Sequence, residues 1–233
     1  QPVYGTDDDL VLYLPFSRGG NSSWSVAQSN LTVKDRSPYG NDGQCYGTNL
    51  NDGCNWTSGK YGYALYFNGN NTYVNLGLIS QLGRQVSSVE LWFKSTDSSA
   101  EQTMFSHADD DTVPYHKMIL RTDGAVEYRI RVDGAEDSDS YSNYARTSGT
   151  NFNDGAWHHA VAVLNAVDAI TAFYVDGVSE TVVDNEREAS GVYDLTGIGA
   201  NFVGTSFIRN FFNGTIDEVK VYARALAPEE IRT

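Results

Sequence analysis

Three sets of side chains in this sequence are of types used to break bonds. They are the carboxylates Glu90, Asp217 and Glu218, the pair His158-His159, and the run Tyr115-His116-Lys117. Cleaving a glycosidic bond with retention needs two carboxyl groups about 5–5.5 Å apart, one protonated and one ionised. On a strand, side chains alternate between faces, so cooperating acids must sit at same-face positions, as the first two acids of an E-x-D-x-x-E strand do. No such strand occurs here. Glu90 lies between Val89 and Leu91, and the adjacent Asp217 and Glu218 point to opposite faces. A lyase would want a His/Tyr/Arg constellation, but His158 and His159 also face oppositely, one predicted inside beside Trp157 and one outside. Tyr115-His116-Lys117 follows an acidic stretch and reads as a strand entry. No Ser-His-Asp motif, phosphate loop or dinucleotide fingerprint is present, so the expectation is no enzyme and no catalytic residue.

Binding chemistry is better supplied. Sugar recognition uses aromatic rings that stack on a pyranose, beside Asn, Asp or Arg hydrogen-bonding groups. The loop-like aromatics Trp24, Tyr39, Tyr46, Trp56, Tyr141 and Tyr144 are the candidate ligand-binding residues, whereas Trp92 and Trp157 sit in apolar strand patterns and are predicted to be core. Ordinary loop packing is the competing explanation for each loop aromatic. The net charge of −14 argues against nucleic acid and anionic membranes as partners. Acidic clusters at Asp7-Asp8-Asp9, Asp109-Asp110-Asp111 and Asp137 with Asp139 read as solvated loops before cation sites. Asp137, Asp139 and Tyr141 imitate the start of an EF-hand loop, but Ser142 stands where that loop needs Gly.

The elements that must hold these residues are strands. Val161, Val163 and His159 alternate with Ala160 and Ala162, and Ala172, Tyr174 and Asp176 alternate with Phe173 and Val175. Asp123-Gly124, Asp133-Gly134, Asp154-Gly155 and Asp176-Gly177 supply hairpin turn chemistry. At 233 residues and 40% hydrophobic, with 22 Gly, 15 Tyr and 10 Phe, the chain suits one all-β domain of many short strands, residues 1–233 with a core from about 10 to 231. The reading is an antiparallel β-sandwich. Pro228 with Glu229 and Glu230 predicts one closing helical turn.

No run of 18 apolar residues exists to span a membrane. The opening Gln1-Pro2, without Met or an apolar leader, suggests a mature fragment or excised domain. The sequons at Asn21, Asn30, Asn55, Asn70 and Asn213 point to a secretory, glycosylating route. Cys45 and Cys54, the only cysteines, flank a Gly/Asn/Asp-rich stretch and are expected to form a disulfide, the alternative being two buried thiols.

Several blocks carry a family likeness. The end of the chain, Gly214-Thr215-Ile216-Asp217-Glu218-Val219-Lys220-Val221-Tyr222 followed by Arg224-Ala225-Leu226, resembles the terminal signature of the laminin-G-like, concanavalin A-like jelly-roll family. Gly62-Tyr63-Ala64-Leu65-Tyr66-Phe67-Asn68-Gly69, Val89 to Lys94, Gly155 to Val163 and Phe173 to Gly177 are similar to its other blocks, in family order. The resemblance covers about Leu10 to Ile231 and implies a jelly roll that binds glycans or proteins more often than it catalyses. Lys34 to Gly43 resembles the family's loop after the first strand, here Leu10 to Phe16, where some members carry calcium. A structural Ca²⁺ held by Asp35, Asn41 and Asp217 is therefore expected, although Ser17 departs from the acid that relatives often place there; the alternative is that Asp35 and Asp217 accept loop backbone hydrogen bonds. The functional expectation is an extracellular, non-catalytic module that binds carbohydrate and serves surface attachment. The alternatives are a protein-binding or structural adhesin domain, taking a cell-surface protein as its partner, and a glycan-active hydrolase or lyase.

Overall fold

The computed structural model describes residues 8–16, 31–47, 55–82, 87–108, 115–131, 142–164, 170–183, 195–203 and 207–231. Strands are numbered in chain order. One sheet runs β14 (Val178–Ser179), β13 (Ile170–Val175), β12 (His158–Leu164), β7 (Ser87–Lys94), β19 (Asn213–Tyr222), β5 (Tyr63–Asn68) and β4 (Asn55–Ser58), with β1 (Leu10–Leu14) also paired to β19. The other runs β15 (Thr181–Val183), β11 (Ser142–Arg146), β10 (Val126–Arg131), β9 (Tyr115–Leu120), β8 (Gln102–Ala108), β16 (Leu195–Ile198), β6 (Tyr73–Gly77), β3 (Gly43–Tyr46) and β2 (Leu31–Val33). A hairpin of β17 (Asn201–Val203) and β18 (Phe207–Arg209) stands apart. Every pairing between these strands is antiparallel.

Alternation explains the sandwich. Val89, Leu91 and Phe93 of β7, Ala160 and Ala162 of β12, and Val126, Tyr128 and Ile130 of β10 all join one buried cluster. Their neighbours Glu90, Trp92, Val161, Glu127 and Arg129 share the opposite parity and lie on the outer faces of the two sheets. Asp176 and Gly177 both take positive φ (52° and 75°) in the β13–β14 turn, the backbone that an Asp-Gly hairpin supplies. Phe16 has φ 45°, which ends the first strand at Leu14, two residues short of the expected boundary, while its ring stays buried.

Three expectations need correction. His158 and His159 are both buried: His159, on the outward side of β12, stacks on Trp92 at 4.8 Å beside Glu90, and His158 meets Asp154, Asp176 and the Phe152 ring. Farther along that outward side, Val161 and Val163 pack with Leu226 and Ile231 from the C-terminal segment. Trp157 is half-buried just before β12, with the Lys94 ammonium 5.2 Å from its ring, and is not core. The closing helical turn is absent; among the described residues there is no helix. Ala227 to Glu230 make one turn, closed by Glu230 N–H to Ala227 O, and the Glu230 carboxylate accepts from Ala227 N and pairs with Arg224. One such bond does not propagate, since nucleating a helix fixes several residues for a single hydrogen bond.

Candidate binding surface

The outer face of the nine-stranded sheet holds two platforms. At one end, β3 pairs with β6 so that Tyr46 lies opposite Tyr73, and their rings stack at 5.1 Å and 14°. Phe202 meets Tyr73 edge-on at 5.5 Å, and Phe211 lies 6.3 Å from it. The β17–β18 hairpin is seated by Gly197, where an added Cβ would fall 1.9 Å from the Phe202 ring, and by the Ser106 hydroxyl donating to Ala200 O. Burial first, and Tyr46 second, push the Tyr73 hydroxyl above the ordinary tyrosine pKa.

At the other end stands a charged hub. Glu127 of β10 is fully buried although it faces away from the core. Its carboxylate accepts from Arg129 Nε at 2.5 Å, Arg146 Nε at 2.5 Å and Arg121 Nη1 at 3.1 Å. The hub exists because alternation puts Glu127 and Arg129 on one face of β10, and the β10–β11 register sets Arg146 opposite Glu127. Arg146 also lies 5.0 Å from the ring of Tyr144. Between the platforms, Lys117 is buried against Glu101 at 3.1 Å. Strand order separates β3 from β11 by six steps. At about 4.8 Å per step the platforms are about 29 Å apart.

Of the expected ligand-binding aromatics, Tyr46 and Tyr144 share this face. Tyr39 sits in a loop, exposed, donating its hydroxyl to Asp8 O at 2.7 Å. Trp56 is on β4 in the other sheet and packs on Phe16 at 6.1 Å. Trp24 and Tyr141 lie outside the described residues, as do Asn21, Asn30 and Cys54. Tyr73, Phe202, Phe211 and the arginine hub were not foreseen. The alternation in Tyr73-Val74-Asn75-Leu76 and in Glu127-Tyr128-Arg129 was visible; the register that joins them across strands was not.

The outer face of the eight-stranded sheet carries the carboxylates weighed for catalysis, and Asp217 and Glu218 do not part as alternation predicts: a bulge between the core residues Ile216 and Val219 turns both away from the core. Glu90 accepts from Lys220 Nζ at 2.9 Å and Tyr222 Oη at 3.3 Å, with His159 Nε2 at 3.5 Å. Burial would raise its pKa, but His159 and Lys220 outweigh burial and hold it below the usual carboxylate range. Asp217 is the opposite case. It is fully buried, and that burial, with the charge of Glu218, pushes its carboxyl up to about 6 against the hydrogen bonds from Tyr61, Glu218 and Lys60 N–H groups. One ionised and one protonatable carboxyl resemble an acid–base pair. Asp217, however, is sealed under the β4–β5 turn, where an added Cβ at Gly59 would fall 2.5 Å from its Oδ2, and a substrate oxygen has no approach.

The expected calcium ligands do not form one cage. Asp35 already accepts from Tyr13 N, Ser37 N, Ser37 Oγ and Asn41 N, at 2.6–2.8 Å. The Asn41 side chain donates to Val11 O at 2.7 Å, and Asp217 serves the separate β4–β5 turn. A cation would face N–H groups where it needs six to eight oxygens. Among the described residues no group of three His, Cys, Asp or Glu side chains is placed to hold a metal. Asp35, Asn41 and Asp217 therefore do not fit the ion.

Residues 68–232 match a laminin-G-type family model described as the Concanavalin A-like lectin/glucanases superfamily, more than half of the chain. The chain belongs to that superfamily. No curated protein sequence matches it. Among solved structures, domain 4 of the extracellular arabinanase AbnA from Geobacillus stearothermophilus, in complex with arabinotriose, aligns at TM-score 0.64 and 22% identity over 95% of this chain and 96% of that one. The CBM40 domain of a Ruminococcus gnavus sialidase, bound to sialyllactose, aligns at TM-score 0.51 and 13% identity over 63% and 80%. The botulinum neurotoxin DC binding domain, in complex with rat synaptotagmin II, aligns at TM-score 0.66 and 12% identity over 97% of this chain and 51% of that one. At these identities the superfamily likeness establishes a fold shared with carbohydrate-binding and receptor-binding domains.

Proposed function

We propose that the chain is a non-catalytic, extracellular carbohydrate-recognition module that serves attachment through the outer face of its nine-stranded sheet. The observation carrying this is the pair of aromatic platforms on one face, Tyr46 stacked on Tyr73 at one end and Tyr144 beside Arg146 at the other. Each offers a ring for a sugar face with polar groups nearby. Their separation suits an extended glycan lying across the strands. The arabinotriose and sialyllactose bound to two similar structures support the ligand class. A glycan array on the purified protein tests the reading, with Tyr46→Ala and Tyr144→Ala alongside. Wild-type binding that each substitution weakens tenfold is expected. Binding indifferent to both, or release of reducing ends from a bound polysaccharide, would refute it.

The extracellular part rests on Cys45 and the sequons. Cys45 is buried on β3, and no described cysteine is a free thiol. A Cys45–Cys54 bond would close a short loop, for about 2–3 kcal/mol on the chain-entropy argument. Titration of the denatured, unreduced protein should find no thiol. Glycans would attach at the exposed Asn55 and Asn70. Asn213 is a poor acceptor, because its Nδ2 already donates to Asp97 Oδ2 at 2.8 Å and its Cβ crowds Gly69.

A further inference from the structure

We propose that the outer face of the eight-stranded sheet carries a second contact surface, built from Lys60, Tyr61, Lys94 and Trp157, that takes an acidic segment of a partner protein. It lies on the other sheet from the carbohydrate site and does not rest on that reading. The chain has five lysines. Three of them meet carboxylates: Lys34 pairs with Asp42, Lys117 with Glu101 and Lys220 with Glu90. Lys60 and Lys94 have no carboxylate partner among the described residues. Each instead sits on an indole, the Lys60 ammonium 3.9 Å from the centre of the Trp92 ring and that of Lys94 5.2 Å from Trp157. In a chain with 30 acidic residues against 16 basic ones, the two lysines left without an acid share one face. Lys94 and Trp92 alternate with the core residue Phe93, which sets both outward.

The surface is fixed from below. Asp217, buried on β19, accepts from the N–H groups of Tyr61 and Lys60 and so holds the β4–β5 turn over Trp92. Gly59 N–H to Gly62 O closes that turn. Tyr61 meets Trp92 edge-on at 6.0 Å and is itself 56% exposed. The nearby carboxylates are occupied: Glu90 by Lys220, Tyr222 and His159, and Asp154 and Asp176 by His158. The C-terminal segment packs on Val161 and Val163, farther along β12, and leaves Tyr61 in water.

An ammonium group held on an indole is a charge fixed in place, with little side-chain freedom left to lose when a carboxylate meets it. Both indoles already face an ammonium group, so the surface offers charge before it offers a ring for a sugar. Trp157 stands two positions before His159, the cross-strand partner of Trp92, which makes the indoles diagonal neighbours about 7–8 Å apart. Alternate residues of an extended chain are about 6.7 Å apart and point the same way. Carboxylates at alternate positions of an extended segment would reach both ammonium groups, with an apolar side chain beyond them on Tyr61.

Fluorescence polarisation at 50 and 300 mM NaCl tests this with three labelled probes. They are a dodecapeptide of two Asp-Ser-Asp-Ser-Leu-Ser repeats, its Asn-for-Asp counterpart and an oligogalacturonate. Wild type should bind the Asp peptide at least tenfold tighter than the Asn peptide, and the preference should shrink with salt. Lys60→Gln and Lys94→Gln should each weaken the Asp peptide at least fivefold, and Tyr61→Ala at least threefold, whereas Lys60→Arg should stay within twofold. Lys34→Gln, which removes a lysine paired elsewhere, should bind as wild type. Equal affinity for the two peptides, Lys60 and Lys94 variants that bind as wild type, or no binding of the Asp peptide would overturn the inference. Tighter binding of the oligogalacturonate, lost with the same substitutions, would overturn the protein partner and give the surface to an acidic glycan. On a glycan array Lys60→Gln should match wild type, and a loss there would overturn the separation of the two surfaces.

Discussion

The outer faces of the two sheets obey the same alternation rule and end up as different surfaces. Around β12 of the eight-stranded sheet the chain covers itself: Leu226 and Ile231 lie on Val161 and Val163, and the carboxylate of Glu90 is occupied by Lys220, Tyr222 and His159. On the nine-stranded sheet, among the described residues, the hairpin seats near Gly197, with Tyr46 and Tyr73 half-buried and Arg121 and Arg146 partly in water. Both faces are rich in charged and aromatic side chains. Whether such residues form a lining or a binding surface is decided by what else in the chain lies over them.

The sharpest way to break this comparison is at Glu127. Glu127→Ala removes a buried carboxylate that three guanidinium groups share and should cost about 3–5 kcal/mol, since breaking a buried ion pair by deleting one partner is strongly destabilising. In a domain of this size that is a fall in Tm of about 10 °C or more, read by calorimetry. A change within 2 °C would mean that the hub is not buried in solution.

Asp217 sharpens the other side. Its folded carboxyl, pushed up to about 6, keeps a proton that the unfolded chain has already released above its ordinary, lower pKa. The folded state therefore binds more protons in this window, and stability is lost as pH rises from about 4 through about 6, by about 3 kcal/mol at most. Urea midpoints of wild type and Asp217→Asn, measured from pH 4 to 8, should show wild type losing ground to the variant as pH rises. Parallel profiles would contradict the burial of this carboxyl.

Leu226→Ala should cost about 2 kcal/mol by uncovering Val161 and Val163, with no change in glycan affinity. Tyr46→Ala should do the reverse, lowering stability by less than about 1 kcal/mol while weakening glycan binding. If instead Leu226→Ala weakened glycan binding and Tyr46→Ala did not, the two faces would have been assigned the wrong way round.

Much of the fold was legible because strands announce themselves locally. Val161 and Val163 against Ala160 and Ala162, the Asp-Gly turns and the Gly214 to Tyr222 block each needed only neighbouring residues to be read. What failed depended on distant cover. Alternation sends one histidine of the pair outward; that residue is His159, yet it is buried, stacked on Trp92 at 4.8 Å. Pro228 and the glutamates behind it satisfied the rules for a helix start, but these residues form a hydrogen-bonded turn that is not helical. The surface was half legible: Tyr46 and Tyr144 read as loop-like aromatics yet lie on strands β3 and β11, whereas Tyr73 became a partner only through the register of β3 on β6. The arginine hub is drawn from β10, β11 and the β9–β10 turn, and no local pattern announces a meeting of that kind.

The pairing of β1 with β19 sets the timing of folding. Tyr13 and Glu218, joined by a hydrogen bond, are 205 positions apart. At about 5–20 residues per second of synthesis, β1 waits about 10–40 s for its partner strand to exist. During that wait Val11, Leu12 and Leu14, all buried at the end, have no sheet to enter, although Tyr13 O can already take the Arg36 N–H and Asp35 the N–H of Tyr13. The Asp35 loop is then a clasp for the first strand as well as part of the finished fold. Weakening it should show first as a lower yield of folded protein, before any loss of stability in the molecules that succeed.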